Sequence, residues 1–330
     1  MGDVAVITSF DDYQMIIPET LGGCSQIVIG SGALTSKVTD LQISNSVKLL
    51  EFNAVYNATN IESLTIADGT TLICLGAGQE EKTSQNGSFS YLKKLQSVYL
   101  GGNLEYDEYS EYYNAPFYNL NTEQAFSLTI GPNVTSIPER CFGNCDDIKS
   151  IKAMPQTPPT IYNAFGNTSA SVPVYVSYKT KSAYTSASGW STFTNYVLDI
   201  ELCKADAIAE LTEAKVANPS GAADGIFNTY KEAITAATST DEIIAAKEEG
   251  IKELQEYVAK LECEKASAKA ELDAAKVQYP SEFADKIVSD CKTEIEAATT
   301  IEDVKNAKDE GIKNLQLDSN NLLKVGSINS

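Results

Sequence analysis

The sequence predicts a two-part chain: a solenoid of short stacked coils with parallel strands up to about position 200, then all-α tandem three-helix modules. Three observations predict it. An apolar-x-x-apolar-x-apolar pattern recurs with a 23-residue unit between residues 38 and 153. The composition changes near residue 200, where Pro, Gly and aromatics thin out and Ala, Glu and Lys take over. Beyond that point the chain repeats itself at one constant offset without a gap, setting Pro219-Ser220 against Pro280-Ser281.

The first repeat begins at Val38, Ile61, Leu95, Ala125 and Ile148, with the inner positions filled by Leu41 and Ile43, Leu64 and Ile66, Val98 and Leu100, Leu128 and Ile130, and Ile151 and Ala153. The first and last intervals between starts equal the basic unit, while the two between them are longer and carry insertions. These fall around Gly78–Gly87 and Glu105–Tyr113. A large apolar residue also sits six positions ahead of the pattern: Val55, Phe89 and Phe142, with Phe117 displaced to eight. Phe165 closes a further unit before Val172.

Each unit thus offers one short strand whose alternate residues point inward, and one return segment whose Phe closes the other side. One unit cannot bury its apolar face alone. Stacking makes a continuous core with a parallel ladder of strands. Turn residues lie between units, as in Gly131-Pro132-Asn133 and Pro155-x-x-Pro158-Pro159.

The run Leu128-Thr-Ile-Gly-Pro-Asn-Val-Thr-Ser-Ile137, then Cys141-Phe-Gly-Asn-Cys145 and Ile148-Lys-Ser-Ile151 resembles the BspA-type leucine-rich repeats of bacterial surface proteins, common in Bacteroides and its relatives. Val172-Pro-Val-Tyr-Val176, Ala183-Tyr184, Gly189-Trp190 and Phe193 look like that family's terminal half-repeat, which covers the open end of the solenoid. The likeness spans about 38–200 and is weaker early on, where Val55-Tyr56-Asn57-Ala58 replaces Phe-x-x-Cys. It implies a leucine-rich-repeat solenoid at 38–200 with a C-terminal cap at 172–200, residues 1–37 serving as an N-terminal cap. It also implies a cell-surface or extracellular place and a binding or adhesive role without catalysis, and makes Cys141 and Cys145 core positions. No signal peptide precedes Val4-Ala5-Val6-Ile7, so either the protein is intracellular or a leader, with any lipid anchor it carried, is absent from this chain.

The second system divides into modules at 201–260 and 261–317 with a tail at 318–330. Each reads as three helices. The first carries Ala207, Leu211 and Ala214 and stops before Pro219 or Pro280. The second carries Ile226, Tyr230, Ile234 and Ala237 at helical spacing. The third starts at the capping box Ser239-Thr-Asp-Glu242 or at Thr300-Ile-Glu-Asp303, and carries Ile243, Ala246, Ile251 and Leu254. Gly250 and Gly311 recur in register mid-helix at a cost of about 1 kcal/mol each, which points to a close helix–helix approach. Neither Pro nor Gly occurs between Gly250 and Pro280, so one helix from about Thr240 to Val277 is expected to be shared by both modules, as in a spectrin-like rod. The pattern is also similar to FIVAR-type modules of bacterial surface proteins.

Composition narrows the chemistry. The net charge is −20, divided as −9 over residues 1–200 and −11 over 201–330. Such a field repels phosphate backbones and anionic lipid, which argues against a nucleic-acid partner. There is no histidine and one arginine, Arg140, which removes His-based catalysis and multi-arginine anion clamps. The seven cysteines (Cys24, Cys74, Cys141, Cys145, Cys203, Cys263 and Cys291) form no disulfide framework or CxxC motif and read as buried thiols. Asp146-Asp147 and Asp241-Glu242 lack Ca2+-loop spacing, Gly76-Ala-Gly78 opens no phosphate loop, and no stretch is apolar enough to span a membrane. No metal or cofactor is expected. Asn57, Asn86, Asn133 and Asn167 head glycosylation sequons, which matter only in a eukaryotic secretory host.

The candidate binding residues are Tyr106, Asp107, Tyr109, Tyr112 and Tyr113, in the second insertion. Tyrosines give large amphipathic contact area at low entropy cost, and repeat insertions often lie on a functional face. The patch suits a basic peptide, a glycan or a partner protein; the plainer reading is a solvated loop whose tyrosines cover the adjacent core. Asp107, Glu108 and Glu111 are the nearest approach to a carboxylate pair, but an acidic loop lacks the desolvated cleft that tunes such acids. A non-enzymatic surface binding protein with a helical stalk is therefore expected, with a purely structural role or binding by the helical modules as the alternative.

Overall fold

The computed structural model describes residues 3–69, 71–76, 86–106 and 115–328, with side chains up to residue 320. They form two compact units, 1–203 and 204–330.

The first unit opens with β1 (Val4–Ile7), β2 (Gln14–Ile16) and β3 (Gln26–Ile29), followed by β4 (Asp40–Ile43), β5 (Val47–Leu50), β6 (Ser63–Ile66) and β7 (Thr71–Cys74). Next come β8 (Ser97–Leu100), β9 (Asn103–Tyr106), β10 (Phe126–Ile130), β11 (Ser136–Ile137), β12 (Ile148–Ala153) and β13 (Thr160–Ile161). The unit ends with β14 (Val174–Val176), helix α1 (Lys181–Ser186), a 3-10 turn at Trp190–Thr192 and β15 (Tyr196–Leu198).

The recurrent motif builds one eight-stranded parallel sheet in the order β15-β14-β12-β10-β8-β6-β4-β2. Its register follows the repeat: Leu64 faces Val98, and Val98 faces Leu128. All three, like the motif aliphatics beside them, are buried in a single core.

The structure adds a strand that the motif did not reveal. Alternate strands β1, β3, β5, β7 and β9 form a second, five-stranded parallel sheet. Its inward residues are Ile27 and Ile29, Val47 and Leu50, Leu72 and Cys74, and Leu104. A few apolar residues of varying type per coil suffice, because the neighbouring coil supplies the rest of each contact. The Asn103 side chain extends this sheet toward β11, accepting from the Thr135 and Ser136 amides at 2.9 and 3.2 Å.

The third side of the coil carries the closing residue, Val55 in an earlier coil and an aromatic in the later ones. Phe89, Phe117, Phe142 and Phe165 stack in sequence with ring centroids 4.6, 4.7 and 5.5 Å apart. Their amides bond the next coil, Phe89 to Pro116, Phe117 to Cys141 and Phe142 to Ala164, each at 2.8 Å. Asn119 and Asn144 hold the adjoining corners at positive φ, a conformation Asn tolerates better than most residues.

One motif assignment is corrected. Ala125 is exposed, and Phe126 fills the core position opposite Ile148. A register shift between Phe126 and Ser127 turns the ring inward while leaving Leu128 and Ile130 in step with the ladder. Residues of the expected N-terminal cap carry β1 to β3, which pair in register with the following strands of both sheets.

The second unit contains most of α2 (Ile200–Ala217), then α3 (Ala223–Ala236), α4 (Thr240–Gln278), α5 (Ala284–Ala297) and α6 (Ile301–Ile328). The 39-residue α4 serves both bundles, as the lack of Pro and Gly after Gly250 predicts. It begins on a complete Ser239–Glu242 capping box, and Thr300 caps α6 through the Asp303 amide. Residues 318–328, set apart by the sequence as a tail, continue α6.

The sequence duplication is also a duplication of contacts. Lys247–Glu210 recurs as Lys308–Glu271, both at 3.0 Å. Lys215–Asp224 recurs as Lys276–Asp285. Gly250 and Gly311 each sit where another helix comes close. A Cβ on Gly250 would lie 2.8 Å from the Tyr230 ring and 2.9 Å from Leu211 Cδ1, and one on Gly311 would lie 2.7 Å from Cys291 Sγ.

The packing can be tested by substitution. Phe117→Ala removes a fully buried ring between two others and should cost about 3–5 kcal/mol, read as a lowered melting transition by circular dichroism. Gly250→Ala should destabilise by about 1 kcal/mol net, because overpacking of about 1–3 kcal/mol exceeds a helix-propensity gain of about 1. Gly225→Ala, whose Cβ meets nothing within 4 Å, should instead stabilise by up to about 1 kcal/mol. Equal signs for these two glycine substitutions in urea melts would refute the close-approach account.

Candidate functional site

Strand alternation that sends Leu and Ile inward sends the intervening residues outward. On the eight-stranded sheet the outward positions align in two rows. One runs Gln14, Asp40, Ser63, Ser97, Ser127 and Ser150 across paired strands. The other runs Gln42, Thr65, Tyr99, Thr129, Lys152 and Tyr175. Neighbouring strands are about 4.8 Å apart, so each six-residue row runs roughly 24 Å across the face.

The middle of these rows is uncharged, from Ser63 and Thr65 to Ser127 and Thr129. Charge appears only toward their ends, at Asp40 and at Lys152, whose ammonium pairs with Asp199 at 3.0 Å. Tyr99 is the large side chain at the centre. Its hydroxyl donates to Asp68 Oδ1 at 2.7 Å, and burial together with that carboxylate raises its pKa to about 12. It therefore presents a fixed ring edge and a committed proton. Hydroxyls dominate, and Ser150 Oγ lies 3.3 Å from Ser127 Oγ. Such a surface can exchange many hydrogen bonds with a partner and has no built nucleophile, base or metal cradle. These residues occupy the variable positions of the very motif that identifies the strands, so the sequence held the signal.

Of the sequence-predicted binding residues, Tyr106 ends β9 at the edge of the five-stranded sheet, where its hydroxyl donates to the Glu139 carbonyl at 3.2 Å. Asp107, Tyr109, Tyr112 and Tyr113 lie outside the described residues, as do Glu108, Glu111 and most of the first insertion.

Near the C-terminal end of the unit an open groove of about 390 Å³ runs between the β13 turn and the segment around Gly189. Phe165 and Phe193 line it, as does Tyr162, which is 73% exposed. Close by lies Trp190, fully buried, its indole donating to the Pro159 carbonyl at 2.8 Å.

The cysteines of this unit's core pack rather than react. Cys141 and Cys145 are fully buried, the Cys145 thiol donating to the Phe117 carbonyl at 3.1 Å. Burial raises the pKa of Cys145 to about 12 and pushes those of Cys74 and Cys141 up as well. Among the described residues no group of three His, Cys, Asp or Glu side chains could hold a metal ion, and no helix is long and apolar enough to cross a membrane.

With this geometry in place, the model of the BspA-type leucine-rich-repeat region matches residues 25–126 and 82–192 as six copies. The chain belongs to that family. BspA-type proteins are often surface adhesion proteins, typically surface or extracellular, and the leucine-rich-repeat solenoid is a fold typically without catalysis. Its repeats point to protein binding. No curated protein and no solved structure matches the chain.

Thiol accessibility is a direct test of the packing. A maleimide added to the native protein should label exposed Cys263 first, and reach Cys74, Cys141 and Cys145 only after denaturant is added. Native-state labelling of Cys141, read by peptide mass spectrometry, would contradict its placement.

Proposed function

We propose that the chain is a non-enzymatic binding or adhesion protein of the cell surface or extracellular space, recognising a host protein, peptide or glycan through its leucine-rich-repeat surface. One observation carries the reading: a strand face whose central rows are hydroxyl-lined and carry no charge of their own, the one carboxylate beside them, Asp68, being engaged by Tyr99, in a chain of net charge −20. Charged residues are depleted and tyrosine is enriched at the cores of binding patches, so Tyr99 is the anchor of this face, and the serines and threonines, which are seldom hot spots, supply hydrogen bonds around it. The second insertion, with Tyr106, Asp107, Tyr109, Tyr112 and Tyr113, is a further candidate contact segment, separate from the eight-stranded face. Residues 1–37 cap one end of the solenoid and 172–200 the other. The helical modules, 201–260 and 261–317, act as stalk or spacer, in keeping with their FIVAR-like pattern.

The alternative is partner binding by the helices themselves. It is favoured by Val216 and Val277, equivalent in the two modules and left 74% and 82% exposed.

A panel of host matrix proteins and glycans probed with the intact chain tests both. A partner found there should lose roughly tenfold or more in affinity with Ser127→Arg, which sets a bulky charge mid-face, and with Tyr109, Tyr112 and Tyr113 replaced by Ser. Removing 204–330 should leave affinity unchanged. Affinity lost on that deletion, or on Val216→Asp with Val277→Asp, and unmoved by Ser127→Arg, would transfer the role to the helices.

A further inference from the structure

We infer that the groove lined by Tyr162, Phe165 and Phe193 is a subsite for an uncharged saccharide. The inference rests on the binding role proposed above and gives the groove a ligand class of its own, apart from the strand face.

Its lining contains no charged side chain, although one residue in five of the chain is charged. An ionic ligand would find no partner there, whereas a neutral one meets no repulsion. The walls combine an exposed phenol ring with an apolar floor from Phe165 and Phe193. The C–H face of a pyranose carries slight positive charge and packs on the negative face of such a ring. Around it lie groups that match sugar hydroxyls. Asn163 offers an amide that both donates and accepts, and Ser188 offers a hydroxyl. Thr192 gives its proton to the Gly189 carbonyl at 2.6 Å, which leaves its oxygen to accept. The volume, about 390 Å³, lies within the usual span of small-ligand sites, about 300–1,000 Å³.

The site is also rigidly founded. Asn163 stands at φ 48°, and its carbonyl accepts from the Arg140 amide at 3.2 Å. Phe165 belongs to the stacked aromatic column, and Gly189, at φ 82°, brings the opposite wall close: a Cβ there would lie 2.6 Å from Ile161. A preformed groove of this kind binds without ordering loops.

The chain carries its own reporter. Trp190 is the single tryptophan, and its ring centroid lies 5.7 Å from Phe165 and 6.1 Å from Phe193. Titrating the full chain with lactose, maltose and N,N′-diacetylchitobiose should shift Trp190 emission and saturate in the micromolar-to-millimolar range for at least one of them. Sialyllactose, which adds a carboxylate, should bind more weakly than lactose. Tyr162→Ala, which removes an exposed ring, and Asn163→Gly, which keeps the positive φ, should each weaken binding roughly tenfold while leaving the melting temperature unchanged. The inference is overturned if calorimetry and fluorescence detect none of these sugars, if sialyllactose binds tighter, or if binding survives both substitutions. In that event a host partner still sensitive to Ser127→Arg would leave the strand-face reading intact.

Discussion

Everything in the first unit depends on coils that cannot bury their apolar residues alone. The column of Phe89, Phe117, Phe142 and Phe165, continued by Trp190 and Phe193, shows how the deficit is met. The inner rings have their faces covered by the ring before and after, so the burial of any coil is a property of its neighbours. The same constraint sets the backbone. Amide-to-carbonyl bonds from coil to coil must form at the ring position as well as along the two sheets, and only a constant rise per coil satisfies all three. Insertions therefore have to leave the column and the ladders intact. The two long ones do so: β7 and β9 end just before them, and Phe89 and Phe117 resume the stack after them.

The helical unit solves a different problem with few large side chains. Alanine-rich helices gain little from burial per residue, so they must approach closely to gain anything. Gly250 and Gly311 permit that approach and forgo helix propensity to do so. The paired lysines at 247 and 308 lie beside these contacts, mostly buried stems with an acid at the tip. Because both features recur at the same offset, the duplication preserved the contact geometry along with the residues. The shared α4 follows from the same economy, since one helix lends a face to each bundle.

Legibility in the sequence tracked how strictly a position is constrained. The eight-stranded ladder needs aliphatics at fixed spacing, and Leu64, Val98 and Leu128 announced it. The shared helix was legible because Pro and Gly are absent over a long interval and a capping box marks its start. The five-stranded sheet was not, because Val47, Leu72 and Leu104 sit in short segments with no common spelling. Ala125 was misread for Phe126 because a register shift of one position cannot be seen in a string. The site was legible by halves. The serine and threonine rows stand in the same alignment as the core motif, yet a search for catalytic or aromatic residue types passes over them. The groove at Tyr162 was illegible, since it exists only where a turn meets the Gly189 segment, which lies well beyond it along the chain.

The distribution of charge links fold to role. Acidic residues dominate both parts of the chain, but the centre of the strand rows and the lining of the groove lack charged side chains altogether. A ligand drawn by long-range attraction would need a focused field at its site, and neither surface supplies one. Recognition at the surfaces proposed above would come from contacts made at short range: hydrogen bonds from ordered hydroxyls, ring faces against apolar or C–H surfaces, and shape held rigid by the stacked core. Such contacts are weak singly and gain strength by number, which is what a repeated surface provides.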